Sequence, residues 1–455
     1  MIRSCAAMAC GGIGASMLQL KLTQSLMAQS SSNDYRALVC LYLDGGNDSF
    51  NMLVPYETGE YADYESIRGS QGQGGLALER DSLLAINSSS GRQFGLHPSI
   101  PELQQLYQEG DLAFVANVGS LIEPTDFSDY QNDNQLPLGL FSHADLKRHW
   151  QTSMPQSRAA VTGWGGRVAD ILTDPSQYGD SIAMSLAVDN VNTFQTARNA
   201  NPYIISANGA VEHHAHSSNW GPDLIFREAF DQVLARPDAD LLRQTYVNKT
   251  RKSIDAAAQY NESTGSISFA TAFPGSYTGR SFERIAKTIA AAETLGHRQQ
   301  VFFLQHGPWD HHGGLIDPHR GTLTEISQAL GAFQQAMREI GRDQQVLTFT
   351  ASDFGRTLAG NGQGSDHGWG GNQIVMGGGI RGGDVYGEYP LSLASGNPLD
   401  VGRGRLIPTL SVDEFAAELV MWMGISNNED LETVLPNIRN FYGSGASTPP
   451  VGFAI

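Results

Sequence analysis

Cysteine is scarce: the 455-residue chain holds three, and Cys5 and Cys10 fall in an apolar N-terminal stretch. If that stretch is removed only Cys40 survives, which excludes an intramolecular disulfide in the remainder. Positive charge is short as well, with 29 Lys and Arg against 47 Asp and Glu and no basic cluster standing out, for a formal net charge of -18. That balance argues against a nucleic-acid or anionic-membrane surface, because neutralising phosphates takes clustered cations. It also repels anionic substrates at long range, so a phosphate or sulfate ester would need a local cation such as a bound metal. Beyond the N-terminus no apolar run is long enough to span a bilayer, so no integral membrane segment is expected. Internal repeats are missing, and no linker splits the chain.

What is present begins with the stretch from Ala6 to Ala28, which reads as an export signal over residues 1–28 and directs the rest to the periplasm or outside. Its loss removes Arg3 and Lys21, taking the formal charge from -18 to -18 - 2 = -20. Residues 29–455 read as one α/β domain with loop insertions. Ala37–Leu43 is a continuous apolar run, the signature of a strand buried on both faces. Strands are predicted again over 112–118, 182–188, 202–206, 301–305, 346–350 and 373–376, and helices over 222–235, 238–259, 282–295, 321–340 and 412–423. This alternation predicts a doubly wound, mostly parallel sheet between helical layers. Residues 66–95 are polar and glycine-rich and read as a surface excursion. Ser99 and Glu102 stand at capping-box spacing before a helix.

Candidate chemistry collects where strands end. Leu43 runs into Asp44-Gly45-Gly46-Asn47-Asp48-Ser49, where glycines let the chain turn and leave short polar side chains at the carboxyl end of a strand. Val301–Gln305 runs into Asp310-His311-His312, and carboxylate with imidazole is a usual ligand pairing for zinc, manganese or iron. Val346–Thr350 delivers Asp353 and Arg356, and Asp366-His367 precedes the last of these strands. Ser142 opens a helix from Ala144 to Gln151, where it is either a cap or a nucleophile favoured by free N–H groups. Arg356 either clamps a tetrahedral anion or pairs with a neighbouring carboxylate. His143 and His149 either reach the site or lie on the helix surface, and Trp150, Trp164 and Trp369 are either sugar platforms or core. The run Glu212-His213-His214-Ala215-His216 resembles a chelating tract without a partner cluster.

The ordered set Leu43–Ser49, Leu96-His97-Pro98, Phe141-Ser142-His143-Ala144-Asp145, Gly163-Trp164-Gly165-Gly166-Arg167, Asp310-His311-His312, Ser352-Asp353-Phe354-Gly355-Arg356 and Asp366-His367-Gly368 resembles the exported, sulfatase-like domain-of-unknown-function family 1501. The resemblance implies an alkaline-phosphatase-like fold and a centre of one or two divalent ions, zinc, manganese or calcium. On the superfamily pattern Asp310, His312 and His367 resemble one ion's ligands, and Asp353 with Asp44 or Asp48 part of a second set. Ser142 resembles the nucleophile, with His143 and Arg356 on the substrate. Two departures stand out: Phe354 follows Asp353 where the pattern has a coordinating histidine, and no sulfatase-type Cys/Ser-x-Pro-x-Arg signature surrounds Ser142.

The expected activity is hydrolysis of phosphate or sulfate esters on a small molecule or carbohydrate, dependent on metal. The rival expectation is a non-catalytic exported binding or assembly protein with an eroded centre. Neither fixes an oligomeric state.

Overall fold

In the computed structural model the residues described are 35–173, 182–216, 218, 220–236, 239–446 and 448–455, so the export signal expected over 1–28 lies outside them. The first strand, β1 (Arg36–Leu43), alternates strictly: Val39, Leu41 and Leu43 enter one apolar core, and Leu38, Cys40 and Tyr42 enter another. Side chains on a strand point to opposite faces in turn, so an unbroken apolar run means that both faces of the sheet are covered. Helices Tyr277–Ala290 and Ile316–Glu339 cover the first face through Phe282, Ile285, Leu330 and Phe333. Helices Trp164–Leu172 and Val412–Trp422 cover the second through Val168, Phe415 and Leu419.

Next to β1 on the chain come β2 (Leu53–Pro55), β3 (Leu84–Asn87) and β4 (Gln93–Leu96), which pair as a separate antiparallel sheet. With Leu76, Ala77, Leu78 and Phe94 buried, the polar stretch 66–95 is more than the surface excursion expected of it. Its glycines join short elements that bury Leu83 and Ile86 as well, while Ala85 stays exposed. The expected Ser99/Glu102 capping box does not form either. Its helix starts at Pro101, while the Ser99 N–H donates to His97 Nδ1 (3.1 Å) and Glu102 accepts from the Ser327 hydroxyl (2.6 Å).

The main sheet has ten strands. It adds β5 (Leu112–Gly119), β6 (Ser185–Val188), β7 (Tyr203–Ser206), β8 (Gly209–Ala210), β9 (Gln299–His306) and β10 (Val346–Ser352) to β1. A short hairpin of β11 (Arg356–Gly360) and β12 (Ser365–His367) stands outside it, and β13 (Gly371–Met376), β14 (Val385–Tyr386) and β15 (Leu410–Ser411) complete it. The order is β14-β5-β13-β10-β1-β9-β6-β7-β8, with β15 beside β5. β1 lies between β10 and β9 and is parallel to both, and β6 runs parallel to β9 and β7. β13 is antiparallel to β10 and β5, as β8 is to β7. The fold is therefore the expected doubly wound, mostly parallel α/β sheet. Its register aligns Leu43 with His306 and Ser352, so the segments after β1, β9 and β10 leave the sheet at one level.

Candidate metal centre

Asp44, Asp310 and Asp353 follow β1, β9 and β10 and reach the same edge of the sheet, the position where open α/β sheets hold ligands. The loop after β9 is fastened by main chain, the Trp309 N–H donating to the Asp44 carbonyl (2.9 Å). Gly45 permits that contact. Its φ is +119°, and a Cβ there would stand 2.6 Å from the Asp310 nitrogen. Asp310 thereby faces the β11/β12 hairpin, in which Arg356 pairs with His367 across the strands.

Four side chains converge on one point: ligating atoms of His143, Asp310, His312 and His367 all lie within 4.8 Å of one another. Asp310 Oδ1 is 3.1 Å from His312 Nε2, 3.5 Å from His143 Nε2 and 3.7 Å from His367 Nε2. Around a tetrahedral zinc with bonds near 2.1 Å, ligand atoms would be about 3.4 Å apart. The other ring nitrogen of each histidine is held by an acceptor. His143 Nδ1 meets Asp353 Oδ2 at 2.7 Å, His312 Nδ1 meets Asp366 Oδ1 at 3.1 Å, and His367 Nδ1 meets the Phe141 carbonyl at 2.7 Å. Such partners keep the proton on Nδ1 and turn the Nε2 lone pair inward, the arrangement of metal-ligating imidazole. His143 Nε2 is buried without a hydrogen-bond partner, and His312 Nε2 faces His367 Nε2 at 2.8 Å. Two lone pairs at that separation repel unless a cation lies between or beside them. The residues therefore fit a metal ion.

The electrostatics agree. Burial opposes charge on Asp310, but the Arg356 guanidinium at 2.7 Å outweighs it and its carboxyl sits below the usual range. The hydrogen bond to Asp353 raises the His143 pKa against burial, whereas burial lowers that of His367. Asp366 is pulled down to about 2, first by the Asn361 amide and then by Arg403 and His312.

The second set of acids is not brought together as the superfamily pattern implied. Asp44 takes Lys147 Nζ at 2.5 Å and the Gln305 amide at 2.8 Å. Asp353 receives the Tyr42 hydroxyl on Oδ1 at 2.6 Å and His143 on Oδ2, so each of its oxygens faces a donor. Asp48 points away into a buried ion pair with Arg68. Phe354 packs its ring on His143 and His367, at centroid distances of 4.8 and 4.7 Å. Among the described residues there is one group of ligating atoms rather than two.

Other expectations resolve one way. Arg356 is buried and spends its donors on Asp310, the Gly45 carbonyl and Ser365, so it is a carboxylate partner and not a free anion clamp. Ser142 precedes the helix His143–Thr152 but makes no capping bond, and Asp145 in the first turn is held by Arg158 at 2.6 Å. His143 belongs to the cluster itself, and His149 is buried. Trp150, Trp164 and Trp369 are core residues with no face for a sugar. His213, His214 and His216 stack on Phe226 and Phe230.

Several residues beside the cluster carried no motif. An open cleft of about 880 Å³ is lined by His143 and Asp310 together with Lys147, Asn190, Tyr277, His306 and Glu325. The Trp309 indole N–H donates to His306 Nδ1 (2.9 Å), which fixes the neutral tautomer with its remaining N–H toward Glu325, and burial lowers the His306 pKa. Lys147 lies one helical turn after His143, so the i, i+4 spacing was the available signal that both share a face.

A family model described as "Protein of unknown function (DUF1501)" matches residues 35–435. No curated protein matches the chain. Solved structures similar to it include PsFucS1 sulfatase from Pseudoalteromonas sp., 12% identical, with 95% of this chain and 75% of that one covered and a TM-score of 0.37. A protein in the alkaline phosphatase superfamily from Vibrio parahaemolyticus is 10% identical over 87% and 68% of the two chains, TM-score 0.36. The phosphonate monoester hydrolase SpPMH from Silicibacter pomeroyi is 9% identical over 86% and 73%, TM-score 0.34.

Proposed function

The chain belongs to the DUF1501 family, whose function is unknown, and from that premise we propose that it is an exported, metal-dependent hydrolase of phosphate or sulfate esters, carbohydrate esters among them. One observation carries the proposal: three imidazoles, each with Nδ1 tied to an oxygen, turn Nε2 toward a single carboxylate oxygen beside an open cleft. Asp310, His143, His312 and His367 would hold one ion. Three nitrogen donors favour zinc or manganese over calcium, which prefers an all-oxygen shell. When bound, a divalent cation neutralises developing charge on an ester oxygen.

The chain's own groups do the rest. Lys147 adds a positive charge to a cleft whose wall also carries Asp44, Asp310, Glu325 and Asp353, which an anionic ester needs in an acidic protein. Arg356 orients Asp310, and Asp353 orients His143; both are positioning residues. His306, neutral and held by Trp309, presents an N–H donor at the cleft wall. Because Ser142 is neither among the converging ligand groups nor among the residues lining the cleft, attack is assigned to water rather than to Ser142.

The saturated acids around Asp353 and Asp44 favour a second reading, an exported binding or assembly protein that retains the fold. The experiment that separates the two is elemental analysis of untagged protein, followed by a panel of aryl phosphates and sulfates with and without added zinc or manganese. Stoichiometric metal with turnover supports the enzyme. Metal-free protein, or turnover unchanged by Asp310→Ala and His312→Ala, removes it.

A further inference from the structure

Apolar exposure is concentrated in one place. Among the described residues, nine of sixteen exposed large apolar side chains lie between residues 211 and 246: Val211, Trp220, Leu224, Ile225, Phe226, Val233, Leu241, Leu242 and Tyr246. The helix Gly221–Leu234 buries only Leu234, and the helix Leu241–Gly265 buries nothing before Ala257. The two are linked where Arg251 donates to the Leu234 carbonyl (2.6 Å), and the first is propped on His213–His216 by stacking of Phe226 and Phe230. A soluble monomer rarely leaves so much apolar surface together.

Charge on this surface is divided between the two helices. The helix Gly221–Leu234 carries Asp223, Glu228 and Asp231 against Arg227, a net of 1 - 3 = -2. The helix Leu241–Gly265 carries Arg243, Lys249, Arg251 and Lys252 against Asp255 and Glu262, a net of 4 - 2 = +2, with all four cations in its first half. A patch with an acidic half beside a basic half is complementary to itself when turned about a two-fold axis, because each helix then meets the other helix of its partner. An anionic lipid surface would instead meet the acidic helix, on a chain of net charge -18. Three of the nine side chains are aromatic and can each bury roughly 150–250 Å², which brings the patch within reach of the ~800 Å² per partner of a standard interface.

We propose that the helices Gly221–Leu234 and Leu241–Gly265 form an isologous interface with a second copy of this chain. The interface is apolar at Ile225, Phe226 and Leu242 and is oriented by acid-to-base pairing across the axis. None of these residues lines the metal-centre cleft, so the proposal stands apart from the enzymatic reading.

Sedimentation velocity on the full chain at low micromolar concentration and low salt tests it. The expected species has twice the 49.1 kDa of one chain, weakening as salt rises. The exposed double variant Ile225→Asp/Leu242→Asp should be monomeric with an unchanged melting temperature. Lys249→Glu should weaken the dimer about tenfold, and adding Glu228→Lys should restore it. A monomeric wild-type chain at these concentrations overturns the proposal, as does a dimer indifferent to the double aspartate variant. Flotation of the wild-type chain, but not the double variant, with vesicles of one part phosphatidylglycerol to two parts phosphatidylcholine would assign the patch to a membrane instead and overturn it equally.

Discussion

Two groups of carboxylates sit at the same sheet edge and behave oppositely. Around Asp310 the neighbouring imidazoles have their outer nitrogens anchored and their inner ones directed at a shared point. Around Asp44 and Asp353 every nearby donor has already found its acceptor: a lysine, an amide, a phenol and a histidine. The residue types would suit a cation in either place. What separates them is whether the neighbouring side chains turn donors or lone pairs toward the carboxylate, and that follows from the second layer of residues rather than from the carboxylates themselves.

The comparison breaks first at Asp310. Asp310→Ala should abolish metal retention and lower ester turnover by roughly 10³-fold or more, read as metal content and kcat on the same preparation. Retained metal with full turnover would erase the distinction between the two groups. Asp353→Asn should keep the fold but weaken metal affinity some 10- to 100-fold by releasing His143, read by chelator competition. A ligand role for Asp353 would instead change the stoichiometry.

Lys147→Met tests the saturated group directly. The number of ions per chain should stay at one, while KM for anionic esters rises about tenfold with kcat little changed, the pattern of lost uniform binding. A second equivalent of metal would mean that the ammonium group alone had kept a cation out.

Asp413 extends the contrast to a carboxylate with neither arrangement. It is fully buried, accepts from the Ser153 hydroxyl (2.6 Å), and burial pushes its pKa up to about 7 despite Ser153 and Arg167. Between the unfolded value near 4 and this one, the folded state holds the extra proton, so stability falls as pH rises through that window. At ~1.4 kcal/mol per pKa unit the loss is at most about 4 kcal/mol. Thermal melts should therefore show wild type losing more stability from pH 4 to pH 8 than Asp413→Asn, and parallel curves would refute it. The smallest effect belongs to Ser142→Ala, expected to leave kcat within about threefold, against the roughly 10⁶-fold cost of removing a true nucleophile.

Much of this was legible in the sequence because strand periodicity and strand-end chemistry are local. The run Ala37–Leu43 announced a strand covered on both sides, and Asp310, His312 and His367 could be grouped as companions through the family resemblance. The fourth member, His143, was named with a different role, since a histidine opening a helix carries no local sign of what it will face. Arg356 could be read as a clamp or a carboxylate partner, and only the three-dimensional position of Asp310 decides. Residues 66–95 misled for a related reason: glycine and polar side chains dominate their composition, while a few apolar residues decide their burial. The cleft walls at His306, Glu325 and Tyr277 come from separated elements and left no spacing to read.

The loop bearing Asp310 hangs on the Asp44 carbonyl, not on the Asp44 side chain. Substitutions at position 44 can therefore change the cleft wall while the loop bearing Asp310 stays fastened through main chain. Attachment through main chain leaves the wall residues exchangeable around a fixed cluster of His143, Asp310, His312 and His367. That separation makes position 44 a natural place to begin directed evolution of the cleft.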